Sequence, residues 1–134
     1  MITAGPKLSF EDVPGTGSQS HPQSICMVDY AEHTCANCQK FLNDPGPLII
    51  GAMPGATCFG PAYAFLFILN TDLKRRKLRN TVPTTFVSRE PYAGHMGLGG
   101  VGDSKTLIEM SFGRTLSDGS PMRRSPGSRP RKCL

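Results

Sequence analysis

The sequence predicts an α/β fold. Three observations carry that reading: a short apolar run Leu48-Ile49-Ile50-Gly51, an apolar helical stretch that begins at Pro61, and a second strand-like run Val82-Pro83-Thr84-Thr85-Phe86-Val87-Ser88. Strand, helix and strand in succession make a βαβ unit over residues 48–88. Such a unit places its strands parallel and is expected to cross over right-handed, because a right-twisted strand feeding a right-handed helix packs back onto the sheet only that way. With 134 residues, the chain has the length of about one small domain.

The elements follow in order. Residues 1–24 carry the turn markers Gly5-Pro6, Pro14-Gly15, Gly17 and His21-Pro22 and read as an irregular connector. Asp29 is expected at the N-cap of a first helix, with Glu32 at the reciprocal N3 position of a capping box. Ala31, Cys35, Cys38 and Leu42 recur on one face of that helix. Asn43-Asp44-Pro45-Gly46-Pro47 ends it, since neither proline donates to the helical ladder and Gly46 admits a positive φ. The run 48–51 then has the character of a buried parallel strand. A glycine-bearing turn containing Cys58-Phe59-Gly60 leads into a helix from Pro61 to about Lys77, where Pro61 suits the first turn and the bases Lys74 to Arg79 suit the negative end of the macrodipole. Beyond the second strand come a glycine-rich loop, Arg89 to Gly102, and a helix from Asp103 to about Met110. Residues 111–134 are rich in Ser, Arg, Pro and Gly without apolar periodicity, and read as disordered. The expected organisation is therefore a connector and capped helix over 1–45, a partial Rossmann-like βαβ domain of three-layer type over 46–110, and a basic disordered tail over 111–134.

Charge sharpens the last boundary. The chain carries 15 Lys+Arg against 10 Asp+Glu, a formal net charge of +5, and the surplus lies entirely in residues 110–134. The body is electrically balanced, and Lys74-Arg75-Arg76-Lys77 lacks the interleaved aromatic side chains of a base-stacking surface, so no nucleic-acid partner is expected. No stretch has the roughly 20 apolar residues that span a bilayer, nor is there a signal-peptide pattern at the start. Five cysteines, an odd number without a repeated spacing, fit a reducing compartment, and cytoplasmic residence is the default.

Four groups bear on chemistry. Cys58 lies in a strand-to-helix turn just ahead of a helix start, where backbone N–H groups and the positive dipole end can stabilise a thiolate, the nucleophilic form. Its competing reading is a small side chain packed in a turn. Cys35-Ala36-Asn37-Cys38 forms a C-x-x-C pair, but zinc would need two further ligands, so no metal is expected and the two thiols are read as core side chains. Gly97-Leu98-Gly99-Gly100-Val101-Gly102 matches G-x-G-x-x-G in letters. It does not directly follow a strand, so a lid or packing loop is the better reading than a dinucleotide fingerprint. The turn around Gly51, Gly55 and Gly60 is not a P-loop either, because Pro61-Ala62 stand where Lys and Ser/Thr are required. His95 follows the second strand, at the edge where open α/β sheets place ligands.

Several long strings resemble one family. Gly5-Pro6-Lys7-Leu8 with Val13-Pro14-Gly15, Ser24-Ile25-Cys26-Met27-Val28-Asp29, Gly46 to Gly51 with Cys58 to Tyr63, and Glu90-Pro91-Tyr92-Ala93-Gly94-His95 through Lys105 are similar, in order, to sulfide:quinone oxidoreductases. These belong to the flavoproteins with two dinucleotide-binding domains. The resemblance covers about residues 1–109 and implies an internal fragment of such an oxidoreductase, with FAD- and NAD(P)-binding-type Rossmann architecture. It implies an enzyme that oxidises sulfide through a cysteine persulfide and passes electrons via FAD to quinone, with peripheral membrane association of the complete protein and no activity of this chain alone. By matching position, Cys58 would take up sulfane sulfur beside the flavin, Cys26 would be the accessory cysteine, His95 a loop histidine near the active site, and Gly5, Pro6 and Lys7 part of the cofactor site. The cysteine that partners Cys58 is expected in a C-terminal part of the family protein. A second reading, from a different class, is a non-enzymatic α/β module that binds a nucleotide or partner through the Gly97–Gly102 loop.

Overall fold

The computed structural model describes residues 10, 13–16, 22–53, 56, 58–96, 99 and 101–116. Five elements occur in the order α1 (Val28–Asn43), β1 (Leu48–Gly51), α2 (Gly60–Arg75), β2 (Thr84–Val87) and α3 (Ser104–Leu116). They fall into two compact units divided between Leu42 and Asn43.

In the first unit α1 buries little of its surface. Asp29 stands inside its first turn rather than at its N-cap; the Ala31 amide donates to the Met27 carbonyl, so the helix begins two residues earlier than the capping box suggests. The thiol-bearing face is not a core. Thr34 is the buried residue of α1, Cys35 is exposed and Cys38 half-buried. Among the described residues the ties of α1 to the rest of the unit are few: the Thr34 hydroxyl lies 2.9 Å from the Ser24 carbonyl, ten residues back, and 2.8 Å from that of Tyr30 within the helix, and can donate to either, and the Tyr30 ring meets Phe10 edge-on at 5.2 Å.

The second unit is the βαβ unit and its continuation. β1 and β2 pair in parallel, with Leu48 opposite Thr84 and Gly51 opposite Val87. The ladder is extended at both ends by Leu48 N–H to Pro83 O at 2.8 Å and Ala52 N–H to Val87 O at 3.2 Å. Gly51 is required there, since an added Cβ would stand 2.3 Å from the Val87 oxygen. One face of the pair, with Ile50, Thr84 and Phe86, is buried, whereas Ile49 on the other is 73% exposed. β1 is thus a half-buried strand, not one covered on both faces; two strands with helices against one face leave the other open among the described residues.

α2 supplies the cover. Tyr63, Leu66, Leu69, Asn70 and Leu73 are its buried residues, spaced as one helical face. Tyr63 stacks on Phe86 at 4.9 Å between ring centroids, and Phe112 of α3 lies 5.5 Å from Phe86 and 5.8 Å from Tyr63. Pro61 occupies the first turn, as expected, and the helix ends in a Schellman arrangement. Leu78 N–H bonds the Leu73 carbonyl and Lys77 N–H that of Lys74, with Lys77 at φ 60°. Arg79, buried, reaches back from the following turn to Asn70 Oδ1 (2.7 Å) and the Val82 carbonyl (2.9 Å).

α3 runs to Leu116, six residues past Met110 and into the segment read as disordered. The reason is Phe112, which the aromatic cluster buries to 5% exposure. A single anchoring residue, with no apolar repeat around it, leaves little periodic signal. The tail beyond residue 116 lies outside the described residues, and with it most of the charge surplus.

Candidate functional site

Two exposed thiols occupy equivalent local positions. Cys58 stands two residues before the first residue of α2, and Cys26 two residues before that of α1. Each helix start has a different local device. Ahead of α1, the Ser24 hydroxyl accepts from the Cys26 amide at 3.3 Å. Ahead of α2, Phe59 is the N-cap without a side-chain cap bond, and its carbonyl accepts from Ala62 at 3.1 Å and Tyr63 at 3.3 Å. The exposure of Cys58 removes the reading in which it is a buried packing residue. Cys26 and Cys58 belong to different units.

The loop after β2 is built around Glu90. Its Oε1 accepts the Met96 amide at 2.6 Å, and its Oε2 accepts the Ser88 hydroxyl at 2.8 Å and the Tyr63 hydroxyl. The Tyr63 oxygen in turn accepts the Gly94 amide at 3.1 Å. Burial, and then the hydrogen bond to the Glu90 carboxylate, push the Tyr63 phenol well above its ordinary pKa, so it remains a donor.

His95 lies between two bonded residues, Gly94 and Met96. Its ring meets Tyr92 edge-on at 5.2 Å, and its amide donates to the Tyr92 carbonyl at 3.2 Å. Gly94 has φ 87°, and an added Cβ would approach the Ser104 carbonyl oxygen to 2.6 Å, so this position requires glycine. Ser104, the first residue of α3, donates to the Gly94 carbonyl at 2.7 Å.

The G-x-G-x-x-G letters belong to this loop rather than to a strand-to-helix turn. Gly97, Leu98 and Gly100 lie outside the described residues. Of the others, Gly99 accepts the Tyr92 hydroxyl at 2.6 Å, and the Val101 amide bonds the Ser104 hydroxyl at 3.0 Å. These bonds close the segment onto its own neighbours, as a packing loop does.

Sequence reasoning named Cys58, Cys26 and His95, and the structure places all three among the described residues. Gly5, Pro6 and Lys7 lie outside them. It missed Tyr63, Glu90, Ser88 and Ser104, which fix the His95 loop. Tyr63, Glu90 and Ser104 lie within the strings that carry the family resemblance, but no local pattern assigns any of the four a role. Among the described residues no group of three His, Cys, Asp or Glu is placed to hold a metal ion. No described helix is long and apolar enough to cross a membrane.

No family model matches the chain. It is 46% identical over 112 residues to the sulfide-quinone reductase of Aquifex aeolicus (strain VF5), an alignment covering 84% of this chain and 25% of that protein. A solved structure, the sulfide:quinone oxidoreductase from the hyperthermophilic bacterium Aquifex aeolicus, is similar with a TM-score of 0.75 and 41% identity, covering 90% of this chain and 27% of that one. The chain thus spans about a quarter of the length of each. Over this matched segment the chain is thus similar, in both sequence and fold, to sulfide:quinone oxidoreductases.

Proposed function

We propose that this segment serves sulfide oxidation in an FAD-dependent sulfide:quinone oxidoreductase, with Cys58 as its sulfur-accepting thiol. The observation that supports this most directly is the exposed Cys58 thiol at the start of α2 within a segment 46% identical to a sulfide-quinone reductase. The parallel β1–β2 pair with α2 is read as part of a Rossmann-type domain of that enzyme.

The chemistry needs a disulfide between Cys58 and a second cysteine of the complete enzyme. Hydrosulfide attacks the Cys58 sulfur, a new S–S bond forms, and the bond to the second cysteine breaks with that cysteine leaving as a thiolate. Cys58 then carries a persulfide. Sulfide has lost two electrons and the disulfide has gained them; a quinone is their final acceptor, which calls for peripheral membrane association of the complete protein. In this reading Cys26 is the accessory thiol and His95 the group that transfers protons.

The FAD that this reading implies is not held by the described residues alone. The amino end of α2 has Pro61 in its first turn, lacking an N–H, and Phe59 at the N-cap. That is a poor cradle for a diphosphate, which needs convergent N–H donors. The activity therefore belongs to the complete enzyme rather than to this chain alone.

Treating the full chain with inorganic polysulfide, alkylating it and mapping the peptides by mass spectrometry tests the assignment. Cys58 is expected to gain one sulfur atom several-fold faster than Cys35, which is likewise exposed. Equal labelling of the two removes the special role of Cys58.

A further inference from the structure

We propose that Glu90 is a positioning residue, whose carboxylate, together with the Tyr63 hydroxyl, fixes the loop bearing His95 onto the first turn of α2. The proposal deepens the reading of His95 as a site residue and rests on it.

Three bonds converge on one carboxylate. Oε2 takes the Ser88 hydroxyl at 2.8 Å from the end of β2 and the Tyr63 hydroxyl from α2, and Oε1 takes the Met96 amide at 2.6 Å from the loop. The same Tyr63 oxygen holds the Gly94 amide at 3.1 Å. Both neighbours of His95 are thereby tied to one two-residue clamp. Tyr63 itself is only five residues beyond Cys58, in the turn that opens α2, and is 3% exposed. The clamp thus joins the helix start that follows one proposed site residue to the loop that carries another.

Backbone conformation gives the second line of support. Met96 has φ 58°, a region that residues with a Cβ enter only when surroundings impose it. What imposes it here is the Met96 amide bond to Glu90. Releasing that bond lets Met96 relax to negative φ, and the chain direction at His95 changes with it. A neutral side chain of the same length keeps one acceptor for Met96 but weakens the others, because hydrogen bonds to an ionised carboxylate are the stronger kind.

The test is the His95 ring signature in the NMR spectrum of the full chain. In the wild type the Tyr92 ring, edge-on at 5.2 Å, displaces the His95 imidazole resonances from free-histidine values. Glu90→Ala is expected to abolish that displacement, Glu90→Gln to restore most of it, and Tyr63→Phe to lose part of it. A retained displacement in Glu90→Ala, with core resonances of Phe86 and Val82 native, overturns the proposal. Should Glu90→Ala lose those core resonances, Tyr63→Phe decides by the same criterion, and an unchanged His95 ring there overturns it equally. Polysulfide labelling of Cys58 in the wild type reports separately on the sulfur chemistry. Its failure removes that reading and leaves the clamp to be judged on the His95 ring.

Discussion

α1 and α2 have the same length, 16 residues, and each follows an exposed cysteine by the same interval, yet they are held by different forces. α2 buries five residues, while α1 buries Thr34, and Val28 at its start is 82% exposed. Isolated helices of this length are marginal in water, so most helical stability has to come from a packed apolar face. α2 has one and α1 relies on side-chain bonds to its own neighbourhood. The lesson is that a shared local motif, a thiol ahead of a helix, says nothing about how rigidly the thiol is carried. Cys58 precedes a helix anchored in an aromatic core; Cys26 precedes one anchored by Thr34 and Tyr30.

The strongest way to break this contrast is Phe86→Ala. Phe86 is 2% exposed, stacks on Tyr63 and meets Phe112 at a tilt, and large-to-small substitution of a buried aromatic costs about 3–5 kcal/mol. Guanidinium unfolding followed by circular dichroism should show that loss, with the second unit giving way first. A cost under about 1 kcal/mol, the level of an ordinary surface change or single hydrogen bond, would mean that the aromatic cluster does not hold α2.

That cluster also marks where the sequence was readable. β1 was legible to the residue, and the parallel βαβ arrangement followed from strand, helix and strand in succession with a proline in the first helical turn. Periodicity does not reveal what caps the other sheet face, so Ile49 was read as buried. In α1 the recurrence of Ala31, Cys35, Cys38 and Leu42 looked like a core face, but apolar spacing is a statement about one helix and burial requires a second surface. α3 beyond Met110 is hidden in the sequence because one buried side chain, Phe112, and a Lys74 bond to the Arg114 carbonyl hold it, and neither leaves a periodic pattern. The site divides the same way. Cys58, Cys26 and His95 stand out by residue type and by resemblance, whereas Glu90 and Tyr63 work through contacts 27 residues apart in the chain, which no local pattern records.

Tyr63→Phe sharpens the contrast next. It removes the donor to the Glu90 carboxylate while keeping the ring against Phe86, and bonds to charged groups are worth about 1.5–3 kcal/mol. The pH dependence has a defined sign. Because burial and Glu90 raise the Tyr63 pKa in the folded state, the folded chain retains a proton that the unfolded chain releases above about pH 10. Stability from this group is therefore full below about pH 10 and falls as the pH rises beyond it. Tyr63→Phe should flatten that alkaline decline; an unchanged slope in equilibrium unfolding between neutral and alkaline pH would show that other groups cause it.

Thr34→Ala probes the other side of the comparison. The Thr34 hydroxyl lies within donating reach of the Ser24 and Tyr30 carbonyls at 2.9 and 2.8 Å, so its removal should cost α1 about 1 kcal/mol, the net worth of one intramolecular hydrogen bond. Hydrogen exchange of α1 amides would register the loss without changing that of α2. A penalty as large as that of Phe86→Ala would place a packed core under α1 after all.

Cys35→Ala should have the smallest effect, and it is the sharpest discriminator for the C-x-x-C pair. A thiol packed in a core loses transfer free energy and leaves a cavity when truncated, a cost of order 1 kcal/mol or more. An exposed thiol has neither term, and alanine is the better helix former, so the two small effects oppose the loss of any surface contact. Cys35 is exposed and Cys38 half-buried on the same helix. Equilibrium unfolding of Cys35→Ala should therefore lie within about 0.5 kcal/mol of the wild type, as for surface substitutions generally. A larger destabilisation would show that Cys35 is covered in solution, and the distinction between a helix carried by burial and one carried by local bonds would then fail at α1.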